Sequence, residues 1–200
     1  MHKETFIFIG ASGSGKGTQV ALLRDEIVKK DPHTPIFYLQ TGQYFREFIK
    51  EDTLAAQIAK KAIDNGERAP DFLAMYIWSK TFVENLTGNE HLIIDGSPRS
   101  VNEATNLDIA LKFFKREHPA VIYIHVSRQW SFDHLMARAA KEGRKDDTAE
   151  SINKRLDWFD RDVVPAIEKF KRDRDYDFVE INGEQSIEAV HQDIIKALNI

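Results

Sequence analysis

Cysteine is absent from this chain. That one absence removes disulfides, thiolate catalysis and cysteine-ligated zinc. The seven histidines are scattered without metal-ligand spacing, so they read as solvated or packed side chains and no zinc is expected. Long apolar runs are missing too: nothing approaches the ~20 residues that cross a bilayer, so no membrane association is expected. The first apolar run is short and ends in a glycine loop, unlike a signal peptide, and a soluble cytoplasmic protein is the expectation. Basic charge is not in excess. The net charge of −4 argues against general nucleic-acid binding, and any basic site must be local. There is no low-complexity linker and no internal repeat. What remains is a chain of 200 residues, 42% hydrophobic and 30% charged, suited to one core domain with small insertions.

The most informative segment is Gly10-Ala11-Ser12-Gly13-Ser14-Gly15-Lys16-Gly17-Thr18. The apolar run Phe6–Ile9 precedes it and a helix-forming stretch from Gln19 follows it. Strand, glycine turn and helix are the context of a phosphate-cradling loop. The turn aims backbone N–H groups inward, the helix N-terminus adds partial positive charge, and Lys16 adds a full one. The pattern G-x-x-x-x-G-K is met by Gly10, Gly15 and Lys16. Its usual next residue, Ser or Thr, is replaced by Gly17, with Thr18 behind it. The segment predicts a grip on a nucleoside triphosphate.

Short apolar runs then alternate with helical patterns. Thr5–Ile9, Ile36–Leu39, Leu92–Ile94, Val121–Val126 and Phe178–Ile181 read as strands, continuous and β-branched as buried parallel strands are. The alternation predicts an α/β doubly wound sheet. Two segments interrupt it. Residues 41–72 read as helices Gly42–Lys50 and Leu54–Asp64 with a turn at Asn65-Gly66, and residues 138–147 as a short charged loop. Asp147 and Glu150 suggest a capping box for the next helix. That helix should bury Ile152, Leu156, Phe159 and Val163, and Pro165 should bend or break it. A last helix should start at Ser186 and bury Ile187, Val190, Ile194 and Leu198.

Three further motifs carry charge. In Leu92–Arg99, Asp95 ends a buried strand, where it can face the Mg²⁺ of a nucleotide, directly or through water. Arg99 stands just beyond, in a Gly/Pro turn. Thr41-Gly42-Gln43-Tyr44-Phe45-Arg46 and Gly143-Arg144-Lys145-Asp146-Asp147, the latter followed by Arg155, supply more arginines. Each arginine alone reads as a surface residue. With the glycine loop they form a set.

That set resembles the adenylate kinase family of nucleoside monophosphate (NMP) kinases. The loop is similar to G-x-P-G-x-G-K-G-T-Q with Ser12 in place of proline, which accounts for Gly17. Asp95–Arg99 is similar to D-G-F-P-R with Ser97 for phenylalanine. Thr41, Gly42 and Arg46 resemble T-G-D-x-x-R with Gln43 for aspartate, and Arg144–Asp147 with Arg155 resemble R-x-D-D and its following arginine. The likeness covers nearly the whole chain in order. It implies a P-loop NTPase fold, an α/β architecture with a five-stranded parallel sheet flanked by helices. The core would take residues 1–40, 73–137 and 148–200, a helical NMP-binding insertion residues 41–72, and a short lid residues 138–147.

The resemblance also implies reversible phosphoryl transfer from Mg·ATP to an NMP, AMP first, giving ADP. The acceptor oxygen is already ionised at pH 7, so no general base is needed. The task is to bring two anions together and stabilise spreading charge. Lys16, Arg99, Arg144 and Arg155 are the expected catalytic cations. Gly13, Ser14, Gly15, Lys16, Gly17, Thr18 and Arg138 would bind ATP. Thr41, Gly42, Arg46, Gly96, Arg99 and Glu103 would bind the NMP. Asp95 through water, and Thr18, would meet Mg²⁺, and Asp146 or Asp147 would hold its waters or hinge the lid. Small nucleotides are the expected partners and a monomer the expected state.

Two departures from the family matter. Its second lid arginine is replaced by Glu142, an acid that would repel donor phosphates unless it points outward. The glutamine that pairs with the acceptor adenine is replaced by Glu103. Adenine offers an acceptor at N1 and a donor at N6, which an amide matches and an ionised carboxylate does not. Guanine offers donors at N1 and N2, which a carboxylate suits. A solvated acid at a helix start is the other reading of Glu103. The alternatives for function are a kinase preferring GMP or another NMP, a weakly active nucleotide-binding regulatory module and, behind these, a P-loop kinase for another small acceptor.

Overall fold

A computed structural model describes residues 3–142 and 148–200. Arg144, Lys145, Asp146, Asp147 and the side chain of Glu142 lie outside the described residues. Five parallel strands form one sheet in the order β2-β3-β1-β4-β5. They are β1 (Thr5–Ile9), β2 (Ile36–Gln40), β3 (His91–Asp95), β4 (Ala120–His125) and β5 (Asp177–Asn182). Each predicted strand is present, with ends moved by a residue or so. Pairing extends β3 to Asp95, which stands level with Phe8 and Gln40.

Both sheet faces are buried, which is why the strands read as unbroken apolar runs. Ile7, Ile9, Leu92, Ile94 and Val121 face one layer with Trp78, Phe82, Leu107 and Phe170. Phe6, Phe8, Ile93, Ile122 and Ile124 face the other with Leu23, Ile27, Val190 and Ile194. The helices are α1 (Lys16–Lys30), α2 (Thr41–Phe48), α3 (Leu54–Asp64), α4 (Asp71–Asn85), α5 (Val101–Phe113), α6 (Arg128–Glu142), α7 (Ala149–Trp158), α8 (Val164–Arg172) and α9 (Ile187–Leu198). Strand order reverses about β1, between β3 and β4, so the crevice beyond their C-terminal ends is where an open α/β sheet binds ligands.

Helices α2 and α3 supply the insertion. Thr53 caps α3 by accepting the Ala56 amide, and Phe45, Ala59, Ala69, Leu73 and Ile77 make a small core of their own. The turn at Asn65-Gly66 forms as expected. Gly66 has φ +73°, and a Cβ there would lie 2.9 Å from Ser151 Cα, so the insertion is packed directly against α7. Arg68 holds the same junction: its Nε donates to Asp162 Oδ2 at 3.1 Å, and its Nη1 pairs with Asp71.

Four local expectations are corrected. Residues 138–142, expected as part of a charged loop, are the last residues of α6. The cap of α7 is Thr148, whose hydroxyl accepts the Ser151 amide at 3.2 Å, one residue past the expected Asp147. Pro165 does not break the helix. A π-helical segment, Phe159–Val163, joins α7 to α8, and Pro165 falls in the first turn of α8, where a missing N–H costs nothing. The buried face Ile152, Leu156, Phe159 and Val163 is as expected. In α9, Val190 and Ile194 are buried but Ile187 is 52% exposed, because it opens the helix and turns its carbonyl to Gln19 Nε2 at 2.9 Å.

Candidate active site

The loop between β1 and α1 packs closely on its neighbours at Gly10 and Gly13, where a side chain has no room. A Cβ on Gly10 would lie 2.7 Å from the Ile124 carbonyl, and Gly13 has φ +86° with the Ser131 carbonyl 2.8 Å from its would-be Cβ. Lys16 opens α1. Its ammonium folds back onto the loop, donating to Gly10 O at 2.6 Å and Ala11 O at 2.8 Å. Burial lowers its pKa from 10.5 to about 8. Asp95 acts to raise it, and Arg99 and Arg138 to lower it further. Gly15, Gly17 and Thr18 stand at the exposed rim of the loop.

Asp95 ends β3 and is 7% exposed; its Oδ2 accepts the Tyr38 hydroxyl at 2.9 Å. The backbone then turns at Gly96, and Arg99 Nε returns to the Gly96 carbonyl at 2.6 Å. Burial lowers the Arg99 pKa; Glu103 and Asp95 oppose this, while Arg68 and Arg46 reinforce it. Arg46 reaches the same place from α2. A Cβ on Gly42 would be 3.5 Å from Arg46 Nη1 and 4.0 Å from Arg99 Nη2, so the two guanidinium groups converge over Gly42.

One cleft collects these groups. Gly10, Ser12 and Lys16 line its loop side, and Gly42, Arg46, Gly96 and Arg99 the side facing the insertion. Arg138 from α6 and Arg155 from α7 line it as well, and Arg155 Nε donates to Ser151 O at 3.4 Å. Phe45, Ile63 and Ala69 form an apolar stretch of wall beside the arginines. The arrangement is a cationic cleft suited to phosphate-bearing ligands.

The structure therefore brings together Lys16, Arg46, Arg99, Arg138 and Arg155, five cations expected from sequence. Arg144 lies outside the described residues. Thr41 is buried behind the wall, its hydroxyl 2.8 Å from Ser97 Oγ. Glu103 is not solvated: it is fully buried in the first turn of α5, and Oε2 accepts the Arg99 amide at 2.6 Å. It does not line the cleft itself.

Arg68 and Trp158 are among the lining residues that escape sequence reasoning. Trp158 follows Arg155 by one helical turn, and that spacing is the signal that could have found it. Arg68 had no signal beyond following the Gly66 turn. Among the described residues no group of His, Asp or Glu side chains is clustered as a metal site, and no helix is long and apolar enough to cross a membrane.

Known proteins agree with this geometry. The sequence model described as adenylate kinase matches residues 8–175. An adenylate kinase of Leptospira biflexa is 33% identical over 192 residues, covering 96% of this chain and 98% of the relative. One from Bacteroides fragilis is 32% identical over 96% of this chain and 97% of its own length, and an adenylate kinase 1 from Nostoc sp. 32% over 94% and 95%. The expected five-stranded parallel sheet, the glycine loop and the converging arginines thus coincide with full-length similarity, and the chain belongs to the adenylate kinase family.

Proposed function

We propose that the cleft holds MgATP on the glycine loop and AMP against Arg46 and Arg99, and transfers the terminal phosphoryl group reversibly between them to give ADP. The observation that carries this reading is the convergence of Arg46 and Arg99 over Gly42, across the cleft from Lys16. A protein that only bound ATP would need no second pair of cations for an acceptor phosphate. Family membership makes the chain a phosphotransferase with a phosphate group as acceptor.

Each residue then has a role. Lys16 leaves the Gly10 and Ala11 carbonyls to hold the β- and γ-phosphates, beside the amides of Gly13, Ser14, Gly15, Gly17 and Thr18. Arg99 and Arg46 neutralise the acceptor phosphate, so two anions can approach in line. Arg155 and Arg144 stabilise charge on the transferred group, and Arg138 covers the donor. Mg²⁺ enters with its substrate. Asp95, a fixed carboxylate beside Lys16, suits its bound waters, and Thr18 is a further oxygen donor. Thr41, Gly96 and Glu103 complete the acceptor side. Residues 138–147 act as the lid, whose closure excludes water and suppresses hydrolysis. A monomer is the state taken for catalysis, and MgATP and AMP as substrates suit the cytoplasm.

The test supplies MgATP with AMP, GMP, CMP or UMP and follows diphosphate formation. ADP from AMP is expected, with kcat at least roughly a hundredfold lower in Arg99→Ala. No diphosphate from any monophosphate, or near-native turnover in Arg99→Ala, overturns the reading.

A further inference from the structure

The outer face of α4 and α5 shows more apolar surface than a lone chain has use for. Phe72, Tyr76 and Val83 on α4, with Val101, Ile109 and Phe113 on α5, are between 44% and 77% exposed. They are half of the large apolar side chains left in solvent among the described residues; the others are spread over α1, α2, α3, α6 and α9. None of the six lines the cleft. Single exposed apolar residues are ordinary, whereas a contiguous set of this size marks a contact surface.

The two helices hold these side chains in one patch. Near their starts, Asp71 Oδ2 accepts from Ser100 Oγ at 2.8 Å and from Asn102 Nδ2 at 3.3 Å. Near their ends, the Phe82 and Phe114 rings meet edge-on with centres 6.2 Å apart, and Phe113 packs on Phe114 at 5.1 Å. The helices therefore run side by side in the same direction, with Phe72 level with Val101 and Val83 level with Phe113. On α4, Phe72, Tyr76 and Val83 fall within about 40° of one another around the helix axis. Leu73, Ala74, Ile77, Trp78, Thr81 and Phe82 are buried on the opposite side, so the stripe points away from the core. Exposed Lys80, Glu84 and Lys112 stand at the margins, as the polar rim of an interface does.

We infer that this face docks a second copy of the chain, with α4 packed antiparallel on α4 about a two-fold axis and α5 flanking it. Positions 72, 76, 79 and 83 step by four, three and four, the spacing of a two-helix seam. Ser79, half-buried, lies in the middle of that seam beside Tyr76. Reversing the helix by a two-fold sets Phe72 against Val83 and Tyr76 against Ser79, so each large side chain meets a smaller one. An isologous interface has to be self-complementary in this way. The area is sufficient as well. The six side chains expose roughly 700–800 Å², reckoning a whole aromatic side chain at 150–250 Å². A standard interface takes about 800 Å² from each partner, and the largest apolar patch of an ordinary monomer is about 300–600 Å². Pairing through this face leaves the cleft open in each copy, so one chain remains the catalytic unit.

Sedimentation equilibrium from about 1 to 100 µM tests this. The native chain should move from 23.0 kDa toward twice that mass as concentration rises. Tyr76→Glu and Phe113→Glu put a charge on each helix of the face and should each weaken pairing at least roughly tenfold. Circular dichroism and Tm should stay close to native in both, because the replaced side chains stand in solvent. The chain has no cysteine, so one introduced thiol reports its own position. Ser79→Cys lies beside the axis and should be joined to its copy by a short bis-maleimide. Lys29→Cys, exposed on α1 against the other sheet face, should not be. A single-chain mass at every concentration overturns the proposal, whether the face then adheres to phosphatidylcholine vesicles or to nothing. So does pairing that either glutamate variant leaves intact, or a dimer that links through Lys29→Cys and not through Ser79→Cys.

Discussion

The guanidinium carbon of Arg99 lies 5.9 Å from the centre of the Trp158 ring. This contact joins the turn after β3 to the last residue of α7, and so joins Arg99, the proposed acceptor-side arginine, to the helix that carries Arg155. Arg99 has no carboxylate at ion-pair distance among the described residues; the Gly96 carbonyl and the indole face hold it instead. A shelf of this kind orients a cation without neutralising it. The π segment begins directly after Trp158, and such segments recur at functional sites because they re-aim the residues around them.

Removing the shelf should cost acceptor binding. A partly desolvated cation–π contact is worth about 1–2 kcal/mol, or roughly 5- to 30-fold. Trp158→Leu should raise KM for AMP by about that factor and leave KM for MgATP close to native. Trp158→Phe keeps an aromatic face and should recover most of the loss. Equal impairment toward both substrates in both variants would indicate a general packing defect and count against the shelf.

Lys16 makes a pH prediction. Its pKa is lowered to about 8 because burial disfavours the ammonium. For a lysine depressed in the folded state, the cost to stability is complete below about pH 8 and fades as pH rises to the ordinary value of 10.5. ATP affinity runs the other way, because triphosphate binds the charged form. The Kd for MgATP should therefore rise above about pH 8, by up to about tenfold per unit. Binding there should take up protons, and Lys16→Arg, charged throughout, should show no such slope. Titration with MgATP between about pH 7 and pH 10 checks this, and a flat profile in the native protein removes the assignment.

Much of this site was legible in order along the chain. Strand, glycine turn and helix fixed Lys16, and the turn after β3 placed Arg99, because both depend on residues that are neighbours in sequence. The central strands were readable since burial on both faces leaves no alternation to blur. What stayed hidden depends on contacts between distant segments. Trp158 gains its role from Arg99, far earlier in the chain, and Arg68 from Asp162. Glu103 is the clearest case: its position suggested either base contact or solvation, and only the packing of Asp71, Ser97 and Arg99 around it shows full burial. Pro165 misled because a π segment is a tertiary accommodation that no local rule anticipates.

The junction between insertion and core should be sensitive at Gly66. A Cβ there meets the Ser151 backbone at 2.9–3.0 Å, and φ +73° is unfavourable for alanine. Gly66→Ala should destabilise by roughly 2–3 kcal/mol, lowering Tm by about 4–10 °C in a chain of this size. Asp162→Asn weakens the Arg68 tie at the same junction and should act in the same direction, by about 1–2 kcal/mol. Because the insertion supplies Arg46, both variants should raise KM for AMP more than KM for MgATP. Thermal melts and steady-state kinetics check this. An unchanged Tm in Gly66→Ala would mean that the insertion does not pack on α7 in solution.

Glu103 also makes a prediction that needs no nucleotide. Its carboxyl titrates above the usual range in the folded protein because burial disfavours the charge. For a raised carboxyl the favourable contribution to folding is complete below the unfolded pKa and is lost as pH climbs through the folded one. The native protein should therefore lose stability relative to Glu103→Gln as pH rises from about 4.5 through the raised folded value, and the difference should then level off. Melting curves at acid and at mildly alkaline pH should show the variant gaining most at the alkaline end. A gain that shrinks with rising pH would mean that the Arg99 charge and the amide bond at Oε2 overcome desolvation. Glu103 would then remain ionised in the folded protein.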